Sequence, residues 1–119
     1  RTSLIRLCSY NGSSPRIEFR SADAACNPYI AFKLLIAAGI EGIKNGDSSL
    51  YYKGMDNSQE LPDSLEKALS LARDSQFVRD NLPENVRKLT FRHICSQLEA
   101  LKEYDSTEQF CDEYYFPYI

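Results

Sequence analysis

Apolar and charged residues alternate over residues 16–20 (RIEFR), which is the pattern of a β-strand. Successive side chains of a strand point to opposite faces, so Arg16, Glu18 and Arg20 share one face while the two apolar residues between them share the other. A carboxylate between two guanidinium groups is typical of an exposed row of ion pairs, but it also fits a ligand site. The spacing alone leaves both interpretations open.

A second short strand is predicted over residues 4–7, and the turn-forming residues 11–15 (NGSSP) lead from it towards residues 16–20. The two segments therefore predict an antiparallel β-hairpin. An isolated hairpin is at best marginally stable in water, so we expect it to belong to a larger sheet.

The segment 27–45 predicts a helix that is apolar on every side. Asn27 is a favourable N-cap, Pro28 is a favourable first helical residue, and the glycine at position 46 is expected to end the helix. The other segments offer too little apolar surface to cover such a helix. We therefore expect it to be buried within a larger parent domain.

Residues 46–61 are polar and rich in turn formers, and they predict a surface loop. Residues 62–119 then predict amphipathic helices: Asp63 begins a possible capping box, and Pro83 opens a longer helix. Asp105 is expected to cap a last short helix. The predicted fold class is α+β, with a short antiparallel β-hairpin, a buried helix and three or more amphipathic helices.

Charge and composition narrow the choice of partners. The chain of 119 residues has a net charge of −3, but its first 20 residues carry a net +3. Because this cluster of positive charge is confined to a short segment, it favours a small anionic ligand and argues against a nucleic-acid surface. No apolar run is long enough to span a membrane, and four widely spaced cysteines signal neither a zinc site nor a disulfide framework, which favours a cytoplasmic protein.

Four segments carry a family resemblance: residues 1–6 (RTSLIR), 16–23 (RIEFRSAD), 27–32 (NPYIAF) and 38–45 (AGIEGIKN). In this order they resemble the last sequence blocks of the glutamine synthetase catalytic domain, of the bacterial type I kind. A weaker similarity continues into the helix that follows the loop.

The resemblance implies that residues 1–119 form the C-terminal portion of such a domain, whose upstream parts are absent from this chain. Within it, residues 1–21 hold active-site strands, residues 27–45 the buried helix, residues 46–61 the loop and residues 62–119 a helical region.

The same resemblance implies ATP-dependent ligation of ammonia to the γ-carboxylate of glutamate through a γ-glutamyl phosphate, with Mg²⁺ or Mn²⁺. It assigns Glu18 as a metal ligand, and Arg20 and Arg1 as residues that bind substrate. Arg6 and Arg16 would contact the nucleotide, and Arg1 and Arg6 would act on the transferred phosphoryl group as catalytic residues. Arginine suits these tasks because its planar fork matches carboxylates and phosphates. The fragment by itself is expected to be inactive.

Three departures from the family pattern leave the subfamily open. Leu7 stands where a proline is usual, the segment between Arg6 and Arg16 is slightly shortened, and alanines replace the common prolines at Ala22 and Ala24. The alternatives are a γ-glutamyl amide ligase that uses another amine, such as a polyamine, and a non-catalytic oligomeric relative. An independent binding module is a third, less favoured possibility. Tyr51 is expected to be an ordinary loop tyrosine.

The resemblance also implies a homo-oligomeric ring, possibly a dodecamer, in which the aromatic tail at residues 114–119 would contact a neighbouring ring or fold back on its own subunit. His93 is expected to lie on a helix surface without a role in metal binding, because the family's metal histidine lies upstream.

Overall fold

The computed structural model of the protein describes residues 4–8, 16–23, 25–46 and 61–118. The predicted turn at residues 11–15, the loop with Tyr51 and the proposed site residue Arg1 lie outside the described residues. Their predictions are therefore not tested by the fold.

The N-terminal strands form the predicted antiparallel hairpin. Strand β1 spans Ile5–Cys8 and strand β2 spans Arg16–Phe19. The register places Arg6 directly opposite Glu18. One more hydrogen bond, from the backbone N–H of Arg20 to the carbonyl of Leu4 at 2.9 Å, extends the pairing beyond the strand ends.

Helix α1 spans Pro28–Asn45 and has the predicted ends. The side chain of Asn27 accepts hydrogen bonds from the backbone N–H groups of Tyr29 (3.0 Å) and Ile30 (3.3 Å), which satisfies two of the free donors in the first turn. Gly46 ends the helix with a φ of 61°, a left-handed conformation that glycine adopts without the steric cost that other residues meet.

The described residues do not cover helix α1. None of its residues is buried, and five large apolar side chains along it are exposed: Tyr29, Phe32, Ile36, Ile40 and Ile43. The expectation that the other described segments cannot cover the helix is confirmed. Its burial by other parts of a longer domain stays a prediction.

The described C-terminal region is helical with three or more helices, as predicted, and it has one helix besides those that the sequence analysis places at Asp63, Pro83 and Asp105. Its elements are α2 (Leu65–Asp74), α3 (Gln76–Asn81), α4 (Glu84–Leu101) and α5 (Thr107–Phe110), followed by a π-helical turn (Cys111–Tyr115) and a 3₁₀ turn (Phe116–Tyr118). The additional helix is α3. It separates from α2 at Ser75, whose hydroxyl accepts a hydrogen bond from the N–H of Val78 at 3.2 Å and caps α3.

Two predicted helix caps are wrong by one residue. Ser64, and not Asp63, caps α2 by accepting a hydrogen bond from the N–H of Lys67 at 3.2 Å. Ser106, and not Asp105, caps α5 in the same way. In both places the serine has the extended backbone of an N-cap, which leaves the preceding aspartate outside the helix.

The small core of the helical region lies between these elements. Leu69 of α2, Leu82 after α3 and Phe110 of α5 are buried. Helix α2 packs against α4, and α3 contacts both α1 and α2. None of the helices in the described parts of the chain combines the length and apolar character needed to cross a membrane.

Candidate active site

Three charged side chains meet on one face of the hairpin. Arg20 donates from its Nε to Oε1 of Glu18 at 2.7 Å, and Nη1 of Arg6 lies 3.5 Å from Oε2 of the same carboxylate. The side chains of Arg6 and Glu18 are about half exposed, at 52% and 46%, and that of Arg20 is 28% exposed. The strand alternation and the antiparallel register together account for this meeting, because both place the three residues on the same side of the sheet.

Arg20 lies between a hairpin contact on one side and a turn of the backbone on the other. The N–H of Arg20 pairs with Leu4 in the hairpin, as described above. After the strand, Asp23 forms a tight turn: its Oδ1 accepts from the N–H of Ala25 at 2.7 Å, and its carbonyl accepts from the N–H of Cys26 at 3.1 Å. The turn delivers the chain to the N-cap of α1, so Arg20 lies between two locally defined elements. Sequence reasoning gave Asp23 no role, although an Asp just after a strand is a usual turn former.

Electrostatics keep the carboxylate ionised. The hydrogen bond from Arg20 is the largest cause of a lowered pKa of Glu18; desolvation opposes it, and the positive charges of Arg20, Arg6 and Arg16 lower the pKa further. The same hydrogen bond raises the pKa of Arg20. The face therefore carries one negative and at least three positive groups near neutral pH, which favours the binding of an anion.

The structure brings some of the predicted site residues together. Arg6, Glu18 and Arg20 are in contact, and Arg16 lies on the same face, opposite Cys8 in the register. Arg16 is near enough for its charge to lower the pKa of Glu18. Arg1 belongs to the residues that the structure does not describe.

Glu18 offers the right chemistry for one ligand of a hard divalent ion, because it is an accessible, ionised carboxylate. It does not make a complete site. Across the described ranges, no group of three or more His, Cys, Asp or Glu side chains could hold a metal ion. The donor set fits one ligand position of Mg²⁺ or Mn²⁺, with the other positions left to groups beyond those described.

The remaining candidates lie elsewhere. His93 is exposed on α4, in agreement with a surface role. The four cysteines are free thiols, of which only Cys8 is buried while Cys95 and Cys111 are partly exposed. Cys26 is exposed in the turn before α1.

A family model and several curated relatives that match this chain carry the same name. The family model described as "Glutamine synthetase, catalytic domain" matches residues 1–111. A protein named glutamine synthetase from Methanosarcina mazei is 36% identical over 117 residues, covering 87% of this chain and 25% of the relative. One from Mycolicibacterium smegmatis is 32% identical over 119 residues, covering 87% of this chain and 27% of the relative.

A third protein of that name, from Thermotoga maritima, is 32% identical over 98 residues, covering 72% of this chain and 22% of the relative. The chain thus spans about a quarter of the length of the curated relatives it matches. No solved structure gives a significant match. The family match over residues 1–111 and the relatives above 30% identity show that the chain belongs to the glutamine synthetase catalytic-domain family.

Proposed function

We propose that the chain forms part of a glutamine synthetase, an ATP-dependent ligase that joins ammonia to the γ-carboxylate of glutamate through a γ-glutamyl phosphate. Family membership supports this proposal, and the observation that carries it is the meeting of Arg6, Glu18 and Arg20 on one exposed face. ATP and glutamate, which react before ammonia does, are both anions. The charged face of the hairpin supplies cationic side chains that can bind them.

Phosphoryl transfer depends mainly on positioning and on cations that neutralise the charge which develops on the transferred group. In the proposed site, Arg6 and Arg16 would contact nucleotide phosphates, and Arg1 and Arg6 would contact the transferred phosphoryl group. Glu18 would provide one metal ligand. A bound Mg²⁺ or Mn²⁺ would supply further positive charge beside the phosphates.

Arg20 would hold glutamate through a carboxylate. Its guanidinium group can donate two parallel hydrogen bonds to a carboxylate, which a lysine cannot do. The turn made by Asp23 and the backbone bond to Leu4 would keep the base of this side chain in place while its tip exchanges partners.

The remaining ligands and the ammonia site would come from residues beyond those described. The relatives are about four times as long as the stretch they share with this chain, which leaves ample sequence for those groups. A homo-oligomeric ring in the cytoplasm completes the proposal. Tyr114 stacks on Phe110, with ring centroids 4.8 Å apart, so the first part of the aromatic tail packs within its own chain.

The alternatives have less support. The retained charged residues do not favour a non-catalytic relative, and the relatives named glutamine synthetase do not favour another amine. The direct test measures product formation by the complete protein that carries this sequence, with ATP, glutamate and either ammonia or a polyamine. We expect glutamine to form with ammonia and only in the presence of ATP. A folded protein that forms a γ-glutamyl amide only from the polyamine, or none at all, would refute the proposal.

Within the same assay, Arg20→Lys should raise the KM for glutamate more than the KM for ATP, because it keeps the charge and removes the fork. Equal effects on both substrates would remove Arg20 from the glutamate site.

A further inference from the structure

An exposed aspartate, Asp23, holds the segment that connects the hairpin to helix α1. Its Oδ1 accepts a hydrogen bond from the backbone N–H of Ala25 at 2.7 Å, and its carbonyl accepts one from the N–H of Cys26 at 3.1 Å. Asn27, the N-cap of α1, follows directly. Hydrogen bonds therefore tie the described backbone from Asp23 onward into the first turn of the helix.

Arg20 lies just before this turn, at the end of the paired strand. Its backbone N–H donates to the carbonyl of Leu4 at 2.9 Å, and only residues 21 and 22 separate it from Asp23. The direction of a side chain depends on the backbone conformation of its residue. The pairing with Leu4 restrains the backbone of Arg20 on one side, and the turn at Asp23 restrains it on the other.

The guanidinium group of Arg20 can take a further partner. Its contact with Oε1 of Glu18 at 2.7 Å uses Nε alone, so its two Nη nitrogens can donate in parallel to a substrate carboxylate. Such a two-point contact depends on orientation, and a small displacement of the backbone at Arg20 would misalign it. The residue that holds this backbone therefore affects how well the arginine binds a carboxylate.

We propose that Asp23 is a positioning residue for glutamate that acts through Arg20. Its carboxylate oxygen holds the turn after the strand, and the turn sets the direction of the guanidinium fork. The inference rests on the proposed function, because that function assigns glutamate to Arg20. It adds a residue that touches neither substrate nor cofactor and sets the affinity for one substrate.

The length of the Asp23 side chain matters more than its charge in this role. Asp and Asn both place an oxygen where it accepts from the backbone two residues further on, whereas the longer Glu places its carboxylate elsewhere. Asp23 is exposed, so exchanges at this position leave no cavity. If Asp23 instead bound the ammonium group of glutamate directly, its charge would be needed and Asn could not replace it.

The test compares Asp23→Glu with Asp23→Asn in the complete protein that carries this sequence, by steady-state kinetics of glutamine formation. Asp23→Glu keeps the charge and displaces the acceptor. It should raise the KM for glutamate by roughly 3- to 10-fold, the range that one lost hydrogen bond covers, and leave the KM for ATP within about two-fold. Asp23→Asn keeps the acceptor, so both KM values should stay within about two-fold of wild type. Asp105→Glu, the same change in the exposed turn before α5, is the matched control and should change neither.

A double substitution tests whether Asp23 acts through Arg20. Arg20→Lys removes the fork, so adding Asp23→Glu to it should raise the KM for glutamate by much less than in the wild-type background. The inference is overturned by an unchanged KM for glutamate in Asp23→Glu or by an equal rise of both KM values. It is also overturned by an Asp23→Asn protein as impaired as Asp23→Glu, or by fully additive effects in the double variant.

These outcomes are separate from the proposed function. A wild-type protein that forms glutamine keeps that function, whichever way the variants at Asp23 behave. A folded wild-type protein that forms no glutamine would refute both the function and the inference that rests on it.

Discussion

Residues 4–46 and residues 61–118 differ in how many buried apolar residues they have to stabilise their fold. In residues 4–46, the hairpin and α1 have well-defined pairing and caps, yet Cys8 is the only buried residue among those that the structure describes there. In residues 61–118, Leu69, Leu82 and Phe110 are buried between packed helices. The first part carries the charged face and lacks a core, while the second has a core and carries no candidate catalytic group.

This difference shows that a segment can have well-defined strands and helices without having a packed core. Caps and alternation are enough to define strands and helices, because they satisfy backbone groups residue by residue. A core requires apolar surfaces that meet. Ile17 and Ile36 are exposed apolar residues, so the described residues do not provide a covering layer for residues 4–46.

The largest expected effect tests the core of the helical part. Leu82→Ala should lower the free energy of unfolding of the chain by about 2–4 kcal/mol, because it leaves a cavity at a residue that is only 7% exposed. Leu89→Ala, at an exposed position of α4, is the control and should cost less than about 0.5 kcal/mol. Urea denaturation followed by circular dichroism measures both. Equal losses would mean that the helical part has no core of its own.

The second test asks whether α1 is covered in a larger domain. Ile36→Ala should cost less than about 0.5 kcal/mol in the 119-residue chain, where this side chain is exposed. In the complete protein that carries this sequence, the same change should cost about 2 kcal/mol, if other parts bury it. Denaturation of both proteins provides the comparison. A cost that stays small in the complete protein would show that α1 is a surface helix.

The third test concerns local structure in the part without a core. Asn27→Ala removes the side chain that accepts from Tyr29 and Ile30, and it should lower stability by about 1 kcal/mol. Asn85→Ala, at an exposed position of α4, is the control and should have almost no effect. The loss of helical signal near α1 can be followed by amide hydrogen exchange. Protection that is unchanged in Asn27→Ala would contradict the capping role.

The smallest expected effect concerns pH. Because pairing with Arg20 lowers the pKa of Glu18 in the folded chain, the pair stabilises the fold above the pKa of the unfolded carboxyl. That contribution is lost as the pH falls through the lower, folded pKa. Carbon-13 NMR titration of the Glu18 carboxyl should show a pKa below its ordinary value in the wild type and a rise towards it in Arg20→Gln. Identical titration curves would show that the two side chains do not pair in solution.

Much of the structure of residues 4–46 could be predicted from the sequence, because its signals are local. The alternation of Arg16, Glu18 and Arg20 gave the strand face, and Asn27 with Pro28 gave the start of α1. The direct contact between Glu18 and Arg20 was not predicted as such. Spacing shows which residues share a face, but it does not show which of several cations a carboxylate selects.

The helical part was harder to predict in detail. Helix α3 was not placed because it begins after Ser75, where neither a glycine nor a proline marks the start of a new helix. The caps at Ser64 and Ser106 were displaced by one residue because each serine follows an aspartate that is an equally good N-cap by type. Only the backbone conformation distinguishes the two.

The central claim is that the charged hairpin face is the reactive part of a glutamine synthetase, and substitution of Glu18 tests it most directly. In the complete protein, Glu18→Gln keeps the shape of the side chain and removes its charge, while Glu99→Gln makes the same change in an exposed ion pair with Lys102 on the helical part. Steady-state rates of glutamine formation from ATP, glutamate and ammonia should fall by roughly 100-fold or more in Glu18→Gln and stay within about two-fold of wild type in Glu99→Gln. Wild-type rates in a folded Glu18→Gln protein would contradict the account.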